Sequence, residues 1–281
     1  MTQAVGRTTV YVILPAFNEQ GSLPPLLGRI QTALGGSELA YHVIVVNDGS
    51  SDRTLEIAQQ HAATMPLTVV DHGVNRGLGE AMRSGFLEAG RRMRPGDVIV
   101  TMDADNTHPP DLIHAMVNRT RKGYDLVVAS RFVPGGQQIG LKAYRRALSR
   151  CAGLIMKTLF PVRGVSDYSC GYRAYSAVIL KRALDLHGPA LVEEQGFSCF
   201  VDVLLKLRRM NVRATEVPLV LRYDFKEGAS KMRIMRTIRR YIRLMLKNLV
   251  APGARPFRRF AAVTATVGGT PTPARSSGSA R

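Results

Sequence analysis

The chain has 281 residues, 45% hydrophobic and 21% charged, which is enough for one large core or two modest ones and excludes disorder throughout. A formal net charge of +18 calls for something anionic as partner: nucleic acid, a nucleotide-bearing substrate or an anionic lipid surface. Three cysteines, Cys151, Cys170 and Cys199, lack metal-ligand spacing and exclude a disulfide framework, as in a reducing cytosol.

Residues 8–14 form the first predicted strand, closed by the turn PAFNE (15–19), and a helix over 23–34 follows with Pro24 and Pro25 in its first turn. A strand over 41–46 runs into Asn47, Asp48, Gly49 and Ser50, and Asp52 caps a helix reaching Ala63. Leu67 to Val70 make a third strand, and the segment 73–90 reads as a glycine-rich turn followed by a helix. Val98, Ile99 and Val100 then form a short β-branched run that ends in Asp103 and Asp105. This alternation predicts an α/β fold with a mostly parallel sheet covered by helices.

Further helix is expected over 111–121 and 144–159, with a strand over 125–129 and a mobile loop over 130–140. The polar, tyrosine-rich stretch 165–176 has no assigned element. A helix over 197–209 precedes a last strand over 212–220, whose Pro218 favours a sheet edge. Residues 231–250 repeat Ile, Met, Leu and Tyr at three and four, with seven basic residues and no acid. Such a helix can rest in a phospholipid interface, or pack on the core with a solvated basic face. Beyond 250 the chain turns to Pro, Gly, Ser and Thr, which predicts a disordered tail over 251–281.

No apolar run approaches the roughly eighteen residues of a membrane span, and no export signal precedes the first strand. The expected location is the cytoplasm, peripheral at the cytoplasmic face of the membrane. No nucleic-acid-binding motif occurs, so nucleic acid is not expected as partner.

Three of the predicted turns lie at strand ends: PAFNE, NDGSSDRT and DADNTH. In a parallel sheet they share one edge, which gathers Glu19, Asp48, Asp103 and Asp105 around one ligand. Asp103 and Asp105 flank small Ala104 and can share a hard divalent cation; the same residues can also serve as an N-cap and turn cluster. Glu19 and Asp48 can accept from a base or ribose, or cap helices. Neither G-x-G-x-x-G nor G-x-x-x-x-G-K-[ST] is present, which weakens dinucleotide and NTPase readings.

The segments VILPAFNE, VVNDGSSDRT, NRGLGEA, VTMDADNTHPP, VVASRF and SDYSCGYRAY, in this order, resemble family 2 glycosyltransferases of the GT-A fold. The resemblance is strongest to the dolichyl- or polyprenyl-phosphate mannose and glucose synthase group, and it runs from Val10 to about Leu249. It implies a Rossmann-like catalytic domain over 1–230, with 231–250 as a basic membrane-facing or packed helix. Pro15, Ala16, Glu19 and Asp48 would line the nucleoside pocket, and Asp103 and Asp105 would carry Mg²⁺ or Mn²⁺. The backbone of Ala104 would approach the nucleotide or sugar, and Arg131 would contact phosphate.

Asp167, Ser169, Gly171 and Arg173 would lie near the sugar or acceptor phosphate. Ser230 and Lys231 end a G-x-S-K segment. Relatives often carry arginine in place of Phe225, so Arg222 or Lys226 would supply that charge. Asn47 and Thr107 depart from the usual motif residues, and Asp202 matches a family carboxylate or simply holds a nearby cation. The implied catalytic set is Asp103, Asp105, Arg131, Asp167, Arg222 and Lys231. The implied reaction moves a hexose, with inversion, from GDP-mannose or UDP-glucose to a polyprenyl or dolichyl phosphate. Transfer to a sugar or natural-product hydroxyl, with Asp167 or Asp202 accepting the proton, and a non-enzymatic nucleotide or anionic-polymer binding module are the alternatives.

Overall fold

The computed structural model describes residues 7–140, 143–222 and 234–250. Lys231, Ser230, Lys226 and the expected tail over 251–281 lie outside the described residues.

The strand β1 (Thr9–Ala16) is buried along nearly its whole length, as a strand covered on both faces must be. It pairs in parallel with β2 (Ala40–Asn47) on one side and β4 (Val98–Thr101) on the other, and β3 (Leu67–Asp71) pairs in parallel beyond β2. The β1 strand reaches two residues into the expected turn, which puts Pro15 and Ala16 at its carboxyl end. Across β4 stands β7 (Arg173–Ser176), antiparallel to it and to β5 (Leu126–Ser130), and β8 (Ala214–Pro218) closes the sheet parallel to β5. The order β3-β2-β1-β4-β7-β5-β8 leaves β8, with its Pro218, at the predicted edge.

Two expectations are corrected. The stretch over 165–176 contains a central strand, β7, whose polar composition concealed it: Arg173 is fully buried with its guanidinium bound to main-chain carbonyls. The loop over 130–140 contains β6 (Gln137–Ile139), which pairs in parallel with β9 (Val220–Arg222) in a second, two-stranded sheet. That partner lies far along the chain, so no local periodicity announces it.

Helices α1 (Leu23–Gly35), α2 (Thr54–Ala62) and α3 (Leu78–Arg92) connect the first four strands. The α3 helix rides close on β1, because a Cβ at Gly85 would overlap the Ile13 side chain. The chain continues through α4 (Leu112–Arg121), α5 (Ala143–Leu159), α6 (Ala177–His187), α7 (Ser198–Arg209) and α8 (Ile234–Val250). Leu244 of α8 is fully buried and Lys247 pairs with Glu193 at 3.1 Å, so one face of this helix packs on the body. Ile242, Leu246 and Leu249 remain exposed, as do Leu154, Ile155 and Leu159 of α5. Among the described residues no helix is long and apolar enough to cross a membrane.

Candidate active site

The ends of β1, β2 and β4 meet at one edge of the sheet, where the strand order changes direction around β1. Because β5 runs parallel to β4 through the reversed β7, the residues after β5 and those before β7 belong to the same edge.

The two first loops are tied to each other. Asn18, at a φ of 53°, accepts from Ser51 N (2.8 Å), and Glu19 N donates to Thr54 Oγ1 (2.8 Å). The Glu19 carbonyl accepts from Ser22 N and Leu23 N, opening α1. Pro15 and Ala16 thus end β1, and Glu19 stands in the loop that leads into α1. Asp48 is buried and nearly saturated: Oδ1 accepts from His72 Nδ1 (2.8 Å) and Arg76 N (2.9 Å), and Oδ2 from Gly77 N (2.8 Å). Its carboxylate holds the glycine-rich turn, and Gly49 lies beneath that turn so closely that a Cβ there would overlap Val74 and Asn75 backbone.

At the end of β4, Asp103 N donates to His108 Nδ1 (3.1 Å), and the His108 ring stacks on Tyr172 at 4.9 Å between centroids. The Asp105 Oδ1 atom accepts from Thr107 Oγ1 (2.6 Å) and, at 3.3 Å, from Thr107 N. Thr107 therefore orients one acid through a hydrogen bond. Ala104 between the two acids is buried, and Asn106, at a φ of 60°, is pinned by Arg29 Nη1 (2.8 Å). Carboxylate oxygens are hard donors suited to Mg²⁺ or Mn²⁺, and two acids leave further coordination positions for diphosphate and water. Among the described residues no group of three or more His, Cys, Asp or Glu is placed to hold a metal ion by itself.

On the β5–β7 side, Arg131 and Asp167 form a two-pronged pair, Nε to Oδ2 and Nη2 to Oδ1, both 2.7 Å. The same Nη2 donates to Ser169 Oγ (2.7 Å), and Cys170 N donates to Asp167 Oδ1 (3.1 Å). Burial opposes ionisation of Asp167, and the charge and hydrogen bonds of Arg131 outweigh it, holding the carboxyl below its usual range. Glu216 on β8 accepts from Ser166 N and Asp167 N at 2.8 Å each and so fixes the loop that carries the pair. Burial pushes the Cys170 thiol up to about 12.

Asp167 and Asp202, the proton acceptors of the hydroxyl-acceptor alternative, are both paired with cations. Asp167 is wholly buried against Arg131, and Asp202 is buried against Lys206 (3.0 Å) while accepting from Glu193 N (2.9 Å). Arg173, expected near a ligand, donates instead to the carbonyls of Tyr168, Cys170 and Phe200. Gly171 is small because the Phe200 ring occupies the space of its Cβ. Arg222 ends β9, in register with Ile139, in the second sheet.

Beside Arg131 opens a cavity of about 550 Å³, lined among others by Phe132, Val133, Arg150, Leu154 and Lys157. Arg131, Arg150 and Lys157 thus line a space that also has apolar walls. His72, His108 and Glu216 are parts of this edge that sequence reading missed. The available signal was polarity directly after an apolar strand, at His72 behind β3 as at Asp48 behind β2.

Residues 11–183 match the family described as Glycosyl transferase family 2. The chain is 36% identical to the undecaprenyl-phosphate mannosyltransferase of Micrococcus luteus, over 79% of this chain and 87% of that protein. It is 34% identical to the polyprenol monophosphomannose synthase of Mycolicibacterium smegmatis, over 79% and 80% respectively. To the dolichol-phosphate mannosyltransferase of Pyrococcus furiosus it is 33% identical, spanning 62% of that protein's length. The glucosyl-3-phosphoglycerate synthase of Mycobacterium tuberculosis, solved with Mn²⁺, UDP and glucosyl-3-phosphoglycerate, shares the fold at a TM-score of 0.60 and 21% identity, over 87% of this chain and 79% of that one. By the family match over residues 11–183 and these identities, the chain belongs to glycosyl transferase family 2.

Proposed function

We propose that this glycosyltransferase moves a hexose, with inversion, from a nucleotide sugar such as GDP-mannose or UDP-glucose to a polyprenyl or dolichyl phosphate. The observation that carries the reading is the cavity beside Arg131, where Arg150 and Lys157 add positive charge and Phe132, Val133 and Leu154 add apolar wall. A phosphate joined to an isoprenoid chain has that same pairing of anion and hydrocarbon. The acceptor names of the relatives from Micrococcus luteus and Mycolicibacterium smegmatis agree with it.

The chemistry of the acids points the same way. A hydroxyl acceptor must lose its proton as it attacks, and the buried carboxylates on this side, Asp167 and Asp202, are committed to Arg131 and Lys206. A phosphate monoester is already anionic at neutral pH. Its oxygen forms the new bond to the anomeric carbon, and the old bond's electron pair leaves on the nucleoside diphosphate, so no proton transfer is required. Asp103 and Asp105 would hold Mg²⁺ or Mn²⁺, which when bound supplies positive charge for the departing diphosphate. Arg131, oriented by Asp167 and Ser169, would offset repulsion between the acceptor and donor phosphates, with Arg222 and Lys231 assigned the same duty.

The exposed Leu154, Ile155 and Leu159 on α5, and Ile242, Leu246 and Leu249 on α8, support peripheral contact with the bilayer that holds such an acceptor. The location proposed with it is the cytoplasmic face of that bilayer. The test is a factorial assay: GDP-mannose and UDP-glucose, each against polyprenyl phosphate and a simple alcohol, with Mg²⁺, with Mn²⁺ and with chelator. Transfer to the lipid phosphate alone, dependent on the cation, is expected; equal transfer to the alcohol would refute the acceptor assignment.

A further inference from the structure

Behind β3, on the sheet edge but away from the paired acids, Asp48, His72 and Ser84 form a line of polar contacts inside the protein. The Asp48 and His72 side chains are only 5% and 4% exposed, and Nδ1 of His72 lies 2.8 Å from Asp48 Oδ1. On the far side of the ring, Nε2 lies 2.9 Å from Ser84 Oγ on α3. A third contact returns from the turn, where Arg76 Nη2 donates to the His72 carbonyl at 3.3 Å.

A buried carboxylate is held only as well as its donors hold it. Two donors to Asp48, Arg76 N and Gly77 N, belong to the turn that opens α3, where Gly77 takes a φ of 91° and its carbonyl accepts from Ala81 N. The third, His72, stands on the regular framework, between β3 and α3. The turn is thus positioned by Asp48, and Asp48 by His72. A carboxylate has about four lone-pair sites, and three are taken here, so the ring also decides which site remains.

We propose that His72, backed by Ser84, is a positioning residue for the donor nucleotide: it sets the rotation of Asp48 and, through it, the place of the Arg76–Gly77 turn. The proposal rests on the reading that this edge takes the nucleotide sugar.

Binding of GDP and of UDP with Mg²⁺, measured by calorimetry, together with steady-state kinetics on the full chain, tests it. His72→Ala is expected to weaken diphosphate binding and raise the donor KM by about ten-fold, with kcat at saturating donor and the acceptor KM changed less than about two-fold. His72→Asn, whose amide N–H falls near the place of Nδ1, should recover to within about three-fold of wild type, and Ser84→Ala should lose about three-fold. Unchanged donor binding in a folded His72→Ala, or kcat falling as far as KM rises, would overturn the clamp. If His72→Ala does not fold, Ser84→Ala and His72→Asn decide it: donor binding at the wild-type level in Ser84→Ala, or no recovery in His72→Asn, overturns it equally. Wild-type protein that binds neither diphosphate would sink the functional reading and the clamp with it, whereas wild-type binding left unmoved by His72→Ala sinks the clamp alone.

Discussion

Asp48 and Arg131 stand at one edge of one sheet, but Asp48 is held by the His72 ring and two main-chain N–H groups of a neighbouring turn, and Arg131 by a carboxylate thirty-six residues away. On the β3–β2–β1–β4 side, hydrogen bonds between side chains and main chain tie the loops to one another. On the β7–β5–β8 side, charge is neutralised by charge inside the protein, and the open cavity keeps further cations in reach of solvent. The first arrangement presents acids and fixed turns to a ligand; the second presents positive charge to an anion. Changes to the paired acids on the first side should therefore cost activity while sparing stability, and changes to the buried ion pair on the second should cost both.

The sharpest separation comes from the paired acids. Asp103→Asn or Asp105→Asn is expected to lower sugar transfer by about 100- to 1,000-fold, because stabilisation of the leaving diphosphate is lost. Thermal unfolding should stay within a few degrees of wild type, and an equally large fall in unfolding temperature would erase the contrast between the two sides.

Next in size is Asp167→Ala, which strands the Arg131 guanidinium in a buried site and should cost about 3–5 kcal/mol in urea unfolding. The sign of its pH dependence follows from the depressed carboxyl. A group whose pKa is lower folded than unfolded gives stability that is present above its ordinary value, 3.8, and lost as pH falls through the folded value. Wild type should thus lose this contribution only below about pH 4, and Asp167→Ala should show a flatter acid limb.

Smaller again is Gly49→Ala, at a φ of 66° and against Val74 and Asn75 backbone, expected to cost about 1–3 kcal/mol by the same unfolding measurement. The smallest stability effect belongs to the exposed apolar stripe. Leu246→Asn should change stability by less than about 0.5 kcal/mol yet reduce sedimentation with anionic vesicles. Undiminished sedimentation would remove α8 from the membrane contact.

The legible part of the molecule is the part built locally. Asp103, Asp105 and Thr107 lie within five residues, behind a β-branched run, so the sequence pattern exposes both the strand and the acids that end it. Pro218 announced an edge strand, and β8 is one. The β7 strand stayed hidden because its buried Arg173 looks like a surface residue until its three carbonyl partners are known. The Arg131–Asp167 pair was marked at both ends by family resemblance, but nothing in the spacing says that the two meet. His72 was overlooked for a related reason, since its partners Asp48 and Ser84 come from different elements of the fold.

The physical centre of this picture is a cation shared between two acids and a diphosphate. Mn²⁺ titration followed by electron paramagnetic resonance, with GDP or UDP present, reads that directly. Tight Mn²⁺ binding in wild type that disappears in the Asp103→Asn/Asp105→Asn double variant is expected. The same binding in both proteins would place the metal elsewhere.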